Sequence, residues 1–288
     1  MKKWGLAYLL ALSMLIAAAG PLTAKEVITR PDSGRQRNHA PADAQTFINW
    51  TGHFIRATGR GEVQDFDATH HKPFQTLAKA RQNAYRHLLN AGKSIQLTPG
   101  LTAAEALKGN DEQLAAFESL LKSAQIHQTE FLSTGSVEVT LQFPTAGKFS
   151  AMMLPDSITR LEEIESGQPA TEADASEYTG LVVDARGLRV IPAMCFQVLD
   201  ENGKEVYGPA YASRENAVAA GMCQYVSNIA DIRENPRVGA NPLVVKGIRL
   251  HPPGASNIII SDTDASRLRG SVEHLAFLKN CRVIVVMD

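Results

Sequence analysis

Cys281-Arg282-Val283-Ile284-Val285-Val286-Met287 ends the chain as a nearly unbroken apolar run. A strand wet on one face alternates in character, so a run like this belongs mid-sheet, buried on both sides. Leu181-Val182-Val183 has the same character and leads into Asp184-Ala185-Arg186-Gly187. Around these two runs, Ile191 to Leu199 and Glu205 to Tyr207 read as strands joined by the hairpin turn Asp200-Glu201-Asn202-Gly203, and Leu243 to Leu250 and Asn257 to Ser261 as two more. Helical signals fall between them. Ser213 can cap a helix whose apolar face is Val218, Met222, Tyr225, Val226 and Ile229. Ser261-Asp262-Thr263-Asp264 supplies the cap and acidic first turn of a helix carrying Leu268, Val272 and Leu275. Residues 178–288 are therefore expected to form an α/β-like domain with a mixed sheet covered by helices.

The first half has a different rhythm. Phe74, Leu77, Ala78, Ala84, Tyr85 and Leu88 recur on one helical face, with Pro73 suited to a first turn. A second helix is expected from Asp111 to about Ala124, with Leu114, Phe117, Leu120 and Leu121 facing inward. Ile126 to Phe131 and Val137 to Phe143 read as a hairpin around Ser133-Thr134-Gly135, the second arm alternating as Val137, Val139, Leu141 and Phe143. Ile48 to Thr58 reads as one strand, with Gly59-Arg60-Gly61 as the turn that ends it. The expected class is α+β in two domains, a helix-plus-antiparallel-strand domain over 47–150 and the α/β-like domain over 178–288.

What lies outside those domains is also informative. Lys2 and Lys3 precede an uncharged apolar run from Leu6 to Ala19, then Gly20, Pro21 and Leu22-Thr23-Ala24. That is the layout of a signal peptide over 1–24, too short to span a bilayer, and no cysteine stands near its end to take a lipid anchor. Residues 25–46 read as a flexible arm and 151–177 as a linker, acidic through Glu162, Glu163, Glu165, Glu172, Asp174 and Glu177. The mature chain is expected to be periplasmic, without a transmembrane segment. With 29 basic and 30 acidic residues interspersed, there is no basic stripe for nucleic acid. Cys195, Cys223 and Cys281 each sit in an apolar element, which favours three buried thiols over one bridge and a free thiol.

Catalytic signatures are missing. Ala91-Gly92-Lys93-Ser94 resembles the end of a phosphate loop, but His87 stands where its first glycine is needed. His70-His71 has no partner at ligand spacing and reads as loop histidines in solvent. No catalytic residue, metal ligand or cofactor is assigned. The distinctive feature is Asp184 and Arg186 at a strand exit, with Arg214 further on; charges at strand ends can line a ligand crevice, and the alternative is an ion pair fixing the turn.

Ile48-Asn49-Trp50 through Ala57-Thr58-Gly59-Arg60-Gly61, the helix with Ala80-Arg81-Gln82-Asn83-Ala84-Tyr85 and the hairpin with Gly135-Ser136-Val137-Glu138-Val139 together resemble the small outer-membrane lipoprotein fold of the twenty-kilodalton type. They are similar, too, to the N-terminal domain of flagellar assembly protein T. The stretch from Tyr178-Thr179-Gly180 to Gly187-Leu188 resembles a segment that accompanies this fold in exported proteins. The resemblance implies a non-enzymatic protein, periplasmic or outer-membrane-associated, that works in envelope or flagellar-type assembly. The partners it implies are envelope or outer-membrane proteins, flagellar basal-body components among them, with self-association left open. A ligand-binding or hydrolytic domain using a crevice near Asp184 and Arg186 is the competing expectation.

Overall fold

The computed structural model describes residues 28–29, 46–62, 73–158, 178–232, 235–252 and 255–288. The expected leader, all but residues 28–29 and 46 of the arm, His70-His71 and residues 159–177 of the linker lie outside this set. The protein is a two-domain α+β structure.

The N-terminal domain contains β1 (Ile28–Thr29), β2 (Thr46–Asn49), β3 (Phe54–Gly61), α1 (Pro73–Ser94), β4 (Gln96–Thr98), β5 (Leu101–Thr102), α2 (Ala103–Ala106), α3 (Asp111–Leu121), β6 (Gln125–Phe131), β7 (Val137–Pro144) and α4 (Lys148–Met153). Its antiparallel sheet runs β1-β2-β3-β7-β6. Alternation along β7 sends Val137, Val139, Leu141 and Phe143 to the buried face, against α1, where Ala80, Ala84, Leu88 and Ala91 are fully buried. Burying one such leucine contributes about 2 kcal/mol. Asn110 caps α3 by accepting the Gln113 N–H at 3.0 Å.

Four expectations change here. The Ile48 to Thr58 segment is two strands, with the chain reversing over Trp50 to His53. Gly59-Arg60-Gly61 is the end of β3, and its glycines serve close approach: a Cβ on Gly59 would lie 2.0 Å from the Ala84 nitrogen, and one on Gly61 2.0 Å from the Thr76 oxygen. Hence α1 rests directly on the β3 backbone. Residues 28–29 of the arm form β1, and 151–158 of the linker belong to the fold, since α4 extends to Met153 and Leu154 and Ile158 are buried.

The C-terminal domain contains β8 (Leu181–Asp184), β9 (Val198–Leu199), β10 (Glu205–Tyr207), α5 (Arg214–Ala220), β11 (Gln224–Val226), a 3-10 turn at Ile229–Ile232, β12 (Leu243–Leu250), β13 (Ile258–Ile260), α6 (Asp262–Arg269), α7 (Val272–Lys279) and β14 (Val283–Val286). The mixed sheet runs β10-β9-β13-β12-β8-β14-β11, with β12, β8, β14 and β11 mutually parallel. β8 and β14 are buried on both faces: Leu181, Val183, Val283 and Val285 join the main core, while Val182, Ile284 and Val286 join a smaller one closed by Ile232 and Val238.

Three expected elements do not form as read. The helix after Ser213 stops at Gly221, whose φ of 75° suits glycine, so Tyr225 and Val226 fall in β11 and Ile229 in the 3-10 turn. Ile191 to Gln197 is irregular, and only Val198–Leu199 is strand. The irregular stretch leaves the sheet to meet the other domain: the Met194 N–H donates to the Gln96 carbonyl at 2.9 Å and the Cys195 N–H to the Leu97 carbonyl at 2.8 Å. The helix expected after Ser261 is two helices, α6 and α7, divided at Gly270.

The domains share one apolar core. Trp50 meets Tyr225 edge to face at 5.8 Å across the seam. Thr51 Oγ1 donates to the Tyr225 carbonyl at 2.8 Å, Gln224 Nε2 donates to the Thr51 carbonyl at 3.1 Å, and the Gly147 N–H donates to the Val218 carbonyl at 2.7 Å.

Candidate functional site

β8 delivers Asp184 to the rim of the parallel strands, level with Val286 of β14 and Lys246 of β12. Arg186 turns back on it as a fork: Nε donates to Oδ1 at 2.8 Å and Nη2 to Oδ2 at 2.7 Å, while the Arg186 N–H reaches Oδ1 at 3.2 Å. The Gly187 N–H then donates to the Asp288 carboxylate at 2.9 Å, tying the turn to the chain's last residue. Asp184 is largely buried, with a side chain 12% exposed, and Arg186 is 43% exposed. The hydrogen bond from Arg186 holds the Asp184 carboxyl below its ordinary range, against the opposing effect of burial. A carboxylate kept ionised with both oxygens occupied is suited to fixing a strand exit and is poorly placed to exchange protons.

Arg214 does not join this pair. At the start of α5 its Nη1 donates to the Pro155 carbonyl at 3.0 Å and its Nη2 to the Ala151 carbonyl at 3.2 Å, so it closes the end of α4. The neighbouring Ser213 N–H donates to the Lys279 carbonyl just before β14 begins, whereas Asp184 sits beside Val286 at that strand's far end. The sequence-derived trio is thus split between opposite ends of the sheet.

Three features were not visible in the sequence. One is a mostly buried ion pair, in which Arg269 Nη1 donates to Asp200 Oδ2 at 2.9 Å. It rigidifies the β9–β10 turn, where the Lys204 N–H also reaches Asp200 Oδ1 at 2.8 Å. Burial works to raise the Asp200 carboxyl; the Lys204 amide and Arg269 outweigh it and hold the carboxyl below its usual range. The turn residues at 200–203 were legible, but their partner 69 residues away was not.

Another is a cavity of about 20 Å³ in the seam, lined by Trp50, His53, Thr145, Ser150, Met194 and Cys223 among others. Its volume is large enough for about one or two water molecules. All three cysteines are buried free thiols, and burial pushes Cys195 and Cys223 up to about 12, so they are inert packing groups near neutral pH. Among the described residues, no three His, Cys, Asp or Glu side chains converge as a metal site, and no helix is long and apolar enough to cross a membrane.

The remaining feature is the open edge of the first sheet. β6 pairs only with β7 among the described residues and is exposed along nearly its whole length. Ile126 lies opposite Leu141 and Phe131 opposite Val137, so both side chains emerge on the α1 side, 50% and 70% exposed. α1 covers β3 and β7, and Phe74 in its first turn is 80% exposed.

These elements define the class: a two-domain α+β protein whose second domain is a mixed sheet with a pinned strand exit and whose first has, among the described residues, an uncovered edge at β6. Residues 180–288, from the residue before β8 to the end of the chain, match the second domain of Treponema pallidum Tp0624, and the C-terminal domain is similar to it. No curated protein matches the chain.

Proposed function

We propose that this protein is a non-enzymatic component of the bacterial envelope, exported to the periplasm or the outer-membrane surface, that works by contact with other envelope proteins. The observation that carries this reading is the β6 edge. Among the described residues, the side of this seven-residue strand that faces away from β7 has no strand partner, and exposed Ile126 and Phe131 flank it, an arrangement that accepts an extended segment of another chain. Sheet edges of this kind are normally shortened, charged or covered, and β6 carries only His127 and Glu130 as titratable groups. The leader-like residues 1–24 and the resemblance of the first domain to the outer-membrane lipoprotein and flagellar-assembly folds support the location and the assembly role.

The test is gentle cross-linking in living cells, recovery of the tagged protein from the envelope fraction and identification of what accompanies it by mass spectrometry. Recovery with outer-membrane or basal-body proteins, lost in an Ile126→Lys/Phe131→Ser variant that still folds, is the expected result. Recovery of the protein alone, or turnover of a substrate by the purified chain, would overturn the proposal.

A further inference from the structure

We propose that His53 is an acid-sensitive latch on the seam between the two domains: the seam stays shut while the imidazole is neutral and opens when it is protonated.

The turn between β2 and β3 holds His53 in a left-handed conformation, φ 53°, and its carbonyl accepts the Thr145 N–H at 2.9 Å. The ring is thereby pressed across the seam against Gly221 of the other domain, where an added Cβ would sit 2.8 Å from Cε1. The residue as a whole is half-buried, but its Nε2 is fully buried and, among the described residues, has no hydrogen-bond partner. A neutral ring tolerates this at modest cost; an imidazolium, with two N–H groups and a charge, does not.

The surroundings offer that charge no compensation. From the 235–239 segment, Arg237 faces the ring while donating to the Ala220 and Gly221 carbonyls at 2.8 and 2.6 Å. From the 222–226 segment come the Cys223 thiol and the Tyr225 hydroxyl, the latter donating to the Ala193 carbonyl at 3.0 Å. On α4, Lys148 is exposed, and on α5, Arg214 is bound to the α4 carbonyls. Among the described residues no carboxylate lines the cavity, and its 20 Å³ cannot hydrate an ion as bulk water does. Burial first, and Arg237 second, lower the His53 pKa from 6.5 to about 4.

The sign follows from linkage. The folded value lies below the free one, so the closed seam has its full stability above pH 6.5 and loses it as pH falls from 6.5 towards about 4. With the ring returning to its free value on opening, the opening equilibrium rises roughly 30-fold between pH 7.5 and 5.

Trp4 and Trp50 are the two tryptophans, so in the full chain carrying Trp4→Phe the fluorescence of Trp50 reports the seam. The expected result is a reversible red shift that grows below pH 6.5 and is absent in the additional variant His53→Asn, chosen because asparagine tolerates a left-handed backbone. Histidines elsewhere, including buried His274, are common to both chains, so the difference isolates His53. A red shift unchanged in His53→Asn, or no shift down to pH 4 in the chain that keeps His53, overturns the proposal. If circular dichroism shows His53→Asn unfolded at pH 7.5, an NMR titration of the His53 Cε1 proton decides: a value at or above 6.5 with the seam closed overturns it, and a depressed one sustains it.

Discussion

The two sheets solve the same burial problem differently. In the first, β3 and β7 alternate buried and half-buried residues, one face under α1 and the other polar, with Arg56 donating to Gln142 at 2.7 Å and Thr58 bonded to Thr140 at 2.8 Å. In the second, β8 and β14 have no wet face and place successive side chains in two separate cores. A one-sided antiparallel sheet can afford a bare edge such as β6, because its strands are already built to meet water. A parallel sheet needs cover on both faces, and here that cover comes from helices, from Ile232 and Val238, and from the neighbouring domain. Exposed strand surface accordingly concentrates in the first domain and two-sided packing in the second.

The sharpest way to break this contrast is at the β3 glycines. Gly59→Val puts carbon into the α1 backbone and is expected to cost more than about 3 kcal/mol in denaturant unfolding. A loss below about 1 kcal/mol would mean that α1 does not rest on β3 as described. Ile284→Ala in β14 should cost about 3 kcal/mol, because the small second core has few neighbours able to collapse into the gap. Arg214→Ala frees the α4 carbonyls and should lower stability by about 1.5 kcal/mol without changing Asp184→Ala effects, since the two sites lie at opposite ends of the sheet. A double-mutant cycle reads that independence. Asp184→Asn is expected to cost about 1 kcal/mol at pH 7, as befits a pair with one partner half exposed. The folded carboxyl is depressed, so this contribution is present above 3.8 and disappears as pH falls through the folded value; urea titrations at pH 7 and pH 3 should show the difference between wild type and variant shrinking. Phe131→Ser on the bare edge should stay within about 0.5 kcal/mol of wild type while abolishing recovery of partners.

Much of this plan could be read from residue patterns, and the failures have common causes. Period-3.6 spacing in α1, alternation in β7 and the apolar runs of β8 and β14 are local signals, and the elements appear where those signals lie. The misreadings involved glycine and long range. Gly59 and Gly61 looked like a turn because glycine in isolation signals either a bend or a close approach, and only the position of α1 distinguishes them. Gly221 ended a helix whose apolar spacing continued past it into β11. Ile191 to Gln197 had strand composition, yet its backbone partners sit on Gln96 and Leu97 of the other domain, which no local pattern encodes. At the site, the Asp184 and Arg186 pairing was legible because the residues are two apart; Arg214, Arg237 and His53 act on chain segments far from their own.

The seam has a kinetic consequence as well. Its contacts join Thr51 to Tyr225, 174 positions apart, so closing it requires most of the chain to be present and its loops already gathered. α1, its sheet and the β6–β7 hairpin form from nearer neighbours. A chain emerging N-terminus first from the ribosome would therefore form the first sheet while Trp50 is still bare, and the docking of Tyr225 upon it would be among the last and slowest steps to the native state.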